Sequence, residues 1–141
     1  MTRPAPGALP HWERGTPAVL CASGPHPIPV STAVRAGDLR ILLALGGRRD
    51  TLARVREEPR AALCMLGAGH AFTAHGAARV VADSLEAAPG IVPVELSVER
   101  VQDHLADGRT EMLDGARWRW REERYAESDR AIQAELERLA R

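Results

Sequence analysis

The sequence predicts a mainly β protein: a small barrel or sandwich of six or seven short strands, with a short internal helix and a C-terminal helix. Three observations predict it. From residue 17 onward, short apolar runs recur with Gly, Pro or Asp turn signals between them. Two stretches, Val92–Val98 and Arg117–Arg121, alternate at period two, the repeat of a strand with one buried face. The last segment changes period: Tyr125, Ile132, Leu136 and Leu139 recur at helical spacing among Glu and Arg, which predicts an amphipathic helix over residues 122–140.

Taken in order, residues 1–8 are rich in Pro, Gly and Ala and read as a flexible arm, with residues 9–141 as a single domain. Leu9–Arg14 reads as a short helical turn. Ala18–Ala22 is the first strand, closed by the turn Ser23-Gly24-Pro25. Ile28–Val34 is the second, and Ala36-Gly37-Asp38 leads into a third, Leu39–Leu45. Gly46-Gly47 breaks the pattern. Asp50 then reads as the cap of a short helix with Leu52 and Val55 on one face. Pro59 ends that helix, because the residue before proline is pushed out of helical geometry. Arg60–Leu66 and Ala71–Ala82 follow as strands joined at Gly67-Ala68-Gly69. Gly76, inside a strand, marks a bulge or a close backbone approach. In Val92–Val98 the apolar phase is regular, then slips at Arg100-Val101, which predicts a bulge there.

Composition narrows the chemistry. Nineteen Lys and Arg balance nineteen Asp and Glu, so no overall positive field invites nucleic acid. Every basic residue is Arg; the sequence has no Lys and no Asn, which excludes a Schiff-base lysine, a P-loop lysine and N-glycosylation. No apolar run approaches the ~18 residues of a membrane span, and the N-terminal residues do not read as a secretory signal. Cys21 and Cys64 each sit in an apolar run and read as reduced, buried thiols. A cytoplasmic protein is the expectation. His11, His26, His70 and His104 have no metal-ligand spacing, so no metal is assigned.

The most informative stretch runs from Gly46 to Leu63. A strand delivers the chain to a glycine pair, then Arg48, Arg49, Asp50, Thr51 and Leu52 open a helix. Helix N-termini favour anions, and arginines add forked donors suited to phosphate. On the residues alone, this is either a phosphate site or a solvated basic turn. Around it stand Pro27-Ile28-Pro29-Val30-Ser31-Thr32, Glu57-Glu58-Pro59-Arg60-Ala61-Ala62-Leu63 and Phe72-Thr73-Ala74-His75-Gly76-Ala77-Ala78-Arg79-Val80. In that order and spacing, over residues 9–104, the sequence resembles the pyridoxamine 5'-phosphate oxidase-like, FMN-binding split-barrel superfamily.

The resemblance implies an antiparallel split β-barrel of six to seven strands and a homodimer with the cofactor site at the subunit interface. It implies FMN, or the deazaflavin F420, as cofactor, and oxidoreductase activity on a small-molecule substrate; the alternative is a flavin- or F420-binding or scaffold protein without turnover. Val30, Ser31 and Thr32 would lie along the flavin ring, and Arg48, Arg49, Thr51 and Leu52 would grip the phosphate. Thr51 stands where the family often has a phosphate-binding lysine. His75 could approach the cofactor or be a satisfied histidine of the fold. Trp118 and Trp120 could cap the ring from the partner subunit or pack in the core or interface. No residue stands out as an acid or base, which suits chemistry carried by a cofactor.

Overall fold

The structure is a computed structural model and describes residues 7–141. Residues 1–6, most of the expected N-terminal arm, lie outside the described residues. Seven strands form one antiparallel sheet: β1 (Ala18–Ala22), β2 (His26–Val30), β3 (Val34–Arg35), β4 (Arg40–Gly46), β5 (Arg60–Gly67), β6 (His70–Val80) and β7 (Ile91–Asp103). Among the described residues two helices complete the fold, α1 (Asp50–Glu57) and α2 (Glu123–Leu139). The strand order is β2-β1-β5-β6-β7-β4-β3.

That order dictates the curl of the sheet. β2 and β3 are at opposite margins, yet only residues 31–33 join them. Four extended Cα–Cα steps reach about 15 Å at most. The two margins are therefore close, and the sheet rolls into a split barrel. The sequence run Ile28–Val34, expected as one strand, is thus two strands separated by a link. The apolar content of the run gave no sign of the break, because the link itself packs inward at Ala33.

The barrel interior collects the inward phase of each strand. Leu20, Ile41, Leu43, Leu63, Met65, Phe72, Val94 and Leu96 are all at most 2% exposed, and α1 adds Leu52 and Val55 to the same core. Each such side chain contributes about 1.5–3 kcal/mol by leaving water. A second, smaller core lies on the outer face, where α2 sets Leu136 against Leu42 and Leu85, flanked by Val34, Ile91 and Ile132.

Gly76 marks a close approach and a bulge together. β6 and β7 pair Gly76 with Val98 but His75 with Arg100, leaving Glu99 as the extra residue. A Cβ on Gly76 would lie 1.9 Å from the Ser97 carbonyl oxygen. The bulge sits one residue earlier than expected. It explains the slip in apolar phase: Val92, Val94, Leu96 and Val98 face the core, and beyond Glu99 the inward residue is Val101.

Three other expectations are corrected. Leu9–Arg14 is not a helical turn; Pro10 disfavours helical geometry at Leu9, and tertiary contacts hold the segment instead. The Leu9 N–H donates to the Asp38 carbonyl at 2.8 Å and the Trp12 indole to the Ala33 carbonyl at 2.9 Å. Asp50 does not cap α1. It is the first helical residue, Arg49 holds the cap position with no side-chain bond, and Asp50 accepts from Arg54 one turn on at 2.9 Å. Arg117–Arg121 is not a strand. Its alternation serves an aromatic contact, with Trp118 and Trp120 packed edge to face at 5.3 Å between ring centroids.

The C-terminal helix forms as expected, but polar residues fix it. Leu136 is fully buried while Tyr125 and Leu139 stay largely exposed. The buried Gln133 donates through Nε2 to the Ser31 carbonyl at 3.2 Å. The buried Glu135 accepts from the N–H groups of Glu86 and Ala87 at 2.9 and 2.7 Å.

Candidate functional site

The β2–β3 link, the end of β4, the turn into α1 and the outer helix α2 meet around a pocket of about 320 Å³. Pro29, Val30, Ser31 and Thr32 form one wall; Ala44, Leu45, Gly46 and Arg49 form the next; Trp120, Tyr125, Ser128, Asp129 and Ile132 close it from the C-terminal side. The volume is at the lower end of the range for small-molecule sites, and the lining has the usual mix of apolar walls and a few polar groups.

Five of the residues singled out in the sequence converge here: Val30, Ser31, Thr32, Arg49 and Trp120. They come from the β2–β3 link, the β4–α1 turn and the segment before α2, so only the folded chain assembles them. Gly47 sets the turn. Its N–H donates to the Gly90 carbonyl at 2.7 Å, and a Cβ there would lie 2.9 Å from that oxygen. The close backbone contact lets the chain swing from β4 into α1 and present Arg49.

The two hydroxyls differ in what they do. Thr32 Oγ1 accepts from the Ala44 N–H at 3.0 Å and lies 3.4 Å from the Ala44 carbonyl oxygen. It continues β4's outer hydrogen-bonding edge beyond β3, so this hydroxyl is engaged by the fold. Ser31 is held through its backbone carbonyl by Gln133. Among the described residues its hydroxyl makes no hydrogen bond, and Ser31 lines the pocket.

The other candidates lie elsewhere. Arg48 is exposed on the same turn but does not line the pocket. Neither Arg48 nor Arg49 forms an ion pair among the described residues. Thr51 and Leu52 point inward, each 1% exposed. Leu52 is core, and the Thr51 hydroxyl is 3.1 Å from His26 Nε2. Arg54, and more weakly His26, hold the Asp50 carboxyl beside them below its usual pKa. His75 is on β6, with Nε2 3.2 Å from Gln102 Oε1, away from the pocket. Trp118 lines a different, larger cleft of about 1020 Å³ between the N-terminal segment, the β5–β6 turn and residues 114–118. Its indole donates to the Gly15 carbonyl at 2.9 Å. His70 lines the same cleft; its Nε2 is buried without a partner, and burial pushes its pKa below the ordinary value.

Sequence reading missed Asp129. It lies on the side of α2 that carries Gln133 four residues on, and it is among the residues lining the pocket. Burial raises its pKa above the ordinary carboxylate value; the Trp120 indole N–H, Arg14 and Arg130 partly oppose that rise. Among Glu and Arg on a charged helix, nothing in the sequence distinguished it. Among the described residues, no group of three or more His, Cys, Asp or Glu is placed to hold a metal ion. Cys21 and Cys64 are free thiols on adjacent strands.

A seven-stranded antiparallel sheet rolled into a split barrel, with an outer helix and a pocket beside the link that joins its two margins, defines a fold class: the split β-barrels. Comparison with solved structures bears out that fold. The chain is similar to a candidate pyridoxamine 5'-phosphate oxidase of Listeria innocua, at 15% identity and a TM-score of 0.53 over 63% of this chain and 88% of the other. It is similar to another from Lactobacillus delbrueckii, at 15% identity and a TM-score of 0.52 over 61% and 83%. It is also similar to HupZ of Group A Streptococcus, at 11% identity and a TM-score of 0.53 over 72% and 90%. No family model and no curated protein matches the sequence.

Proposed function

We propose that this pocket binds a phosphorylated planar redox cofactor, FMN or the deazaflavin F420, and that the protein is an oxidoreductase acting on a small molecule. The observation that carries the reading is the convergence of Val30, Ser31, Thr32, Arg49 and Trp120 on one pocket. The donor set suits such a ligand. An arginine without an acidic partner stands at one edge, and the aromatic and apolar side chains of Trp120, Tyr125, Val30 and Ile132 line the walls. Arg49, with Arg48 beside it, would hold the phosphate through charge-assisted hydrogen bonds. Ser31 would donate to a ring heteroatom, and the apolar walls would exclude water. When bound, such a cofactor supplies hydride or electron transfer, and the protein's part is to orient and shield it.

A second reading is binding without turnover. It is favoured by Thr51, which is turned into the core against His26 and adds nothing to the phosphate grip. A homodimer fits both readings. The outer sheet face carries Val19 at 42% and Leu66 at 50% exposed, beside Cys64 and Ala62, an apolar strip that a second copy would cover. The remaining expectations, a cytoplasmic location and no nucleic-acid partner, are part of this proposal. Among the described residues no helix is long and apolar enough to cross a membrane.

Titration of the purified protein with FMN and with F420, followed by ligand fluorescence and by thermal melting, tests the reading. Saturable binding of either, with a raised melting temperature, is the expected result; no binding of either would remove it. Turnover of reduced nicotinamide or reduced F420 with an electron acceptor separates enzyme from binder.

A further inference from the structure

The pocket lining contains one fixed cation, Arg49, and one carboxylate, Asp129. They do not neutralise each other: no ion pair within 4.0 Å joins them, and among the described residues Asp129 makes no ion pair at all. The two groups come from separate elements, the β4–α1 turn and α2. The position of α2 is fixed by Gln133, which is bonded to the Ser31 carbonyl four residues beyond Asp129. The Trp120 indole N–H donates to the Asp129 carboxyl, and Arg14 and Arg130 act on it from beyond ion-pair distance, yet its burial outweighs them, so a further donor within the pocket would offset the cost of desolvating it. A pocket built this way is bipolar.

We propose that Asp129 is the specificity-determining acceptor of the pocket, its carboxyl taking the ring N–H of a planar heterocycle whose anionic end lies on Arg49. The proposal rests on the ring-binding reading above and adds the ligand's polarity to it. A phosphate cannot sit against Asp129, because like charges repel. The N–H edge of the ring is the part of such a ligand that a carboxyl can satisfy. Flavin and deazaflavin rings both carry an imide N–H between two carbonyls, so Asp129 selects against rings that lack this donor. The partial desolvation that raises the Asp129 pKa also strengthens a hydrogen bond made there.

The test uses riboflavin, which has no phosphate, and its N3-methyl analogue, titrated by fluorescence quenching against the full-length protein and its Asp129→Ala variant. The wild type is expected to bind riboflavin about tenfold or more tightly than the methylated ring. In Asp129→Ala, riboflavin affinity falls about tenfold, methylated-ring affinity is unchanged, and the preference disappears. Arg49→Ala keeps the preference and loses only the advantage of FMN over riboflavin. Equal binding of the two rings by the wild type, or an unchanged preference in Asp129→Ala, overturns this proposal alone. Failure of the wild type to bind FMN, F420 or riboflavin overturns the ring-binding reading and this proposal together. Matching circular dichroism spectra and melting curves establish that the variants are folded.

Discussion

The Thr32 hydroxyl takes the place of a strand beside Ala44, accepting its N–H at 3.0 Å where β3 has already ended. Ser31, one residue earlier, faces the same pocket with its hydroxyl unengaged among the described residues. Two adjacent hydroxyls therefore have separable roles. Thr32→Val keeps the shape and orphans the Ala44 N–H, with an expected loss of about 1–3 kcal/mol in stability. Ser31→Ala is expected to leave stability unchanged and to weaken ligand binding. Urea denaturation of both variants, paired with FMN titration, checks the division; equal stability loss in the two would refute it.

Arg49 lines the pocket and Arg48 does not. Arg49→Ala is accordingly expected to weaken a phosphorylated cofactor by about 1.5–3 kcal/mol, the range for a charge-assisted hydrogen bond. Arg48→Ala, which removes an exposed charge farther off, is expected to lose less, and its loss should shrink as salt is added. Calorimetric titration at two salt concentrations measures both. An Arg49→Ala protein with wild-type affinity would place the phosphate elsewhere.

Gly76 cannot accept a side chain. Its Cβ would lie 1.9 Å from the Ser97 carbonyl oxygen, a backbone atom held in the β6–β7 ladder. Gly76→Ala must either open that ladder or strain it, and is expected to cost about 3 kcal/mol or more. A melting curve within error of the wild type would show that the bulge at Glu99 can shift to make room.

His70 has a pKa lowered by burial, so the folded state resists its protonation. Between its unfolded value, about 6.5, and the lower folded value, the unfolded chain binds more protons than the native one. Stability therefore rises with pH through this window and is lost as pH falls below about 6.5. His70→Gln removes the titration and is expected to flatten the stability profile between about pH 5 and 7. Thermal melts across that interval decide the matter; parallel profiles for variant and wild type would exclude His70 as the source.

Most of the barrel was legible in the sequence because its strands obey one rule: an inward apolar phase bounded by turn residues. Val92–Val98 shows it plainly, and the slip after Val98 carried enough signal to reveal the bulge to within a residue. The rule fails where apolar residues do not face a common core. Ile28–Val34 reads as one strand although the chain crosses from one sheet margin to the other inside it. Arg117–Arg121 alternates like a strand yet has no neighbour to pair with. The pocket was half legible. Val30, Ser31, Thr32 and Arg49 lie in segments where the resemblance could point to them, whereas Asp129 depends on the docking of α2. That docking is fixed by buried polar residues, Gln133 and Glu135, which no apolar periodicity reports.

The strand order also has a kinetic consequence. β4 pairs with β7, joining Leu43 to Val94, and β1 pairs with β5, joining Leu20 to Leu63. Such distant partners must find one another before the barrel gains any interior, which places the chain among slow-folding topologies, on the order of milliseconds to seconds. The pocket stands later still, since its Gln133–Ser31 bond spans 102 residues and needs both the rolled sheet and the docked helix. A ligand bound here would thus slow unfolding without speeding folding, acting as a latch on a finished molecule and giving no help to the search that makes it.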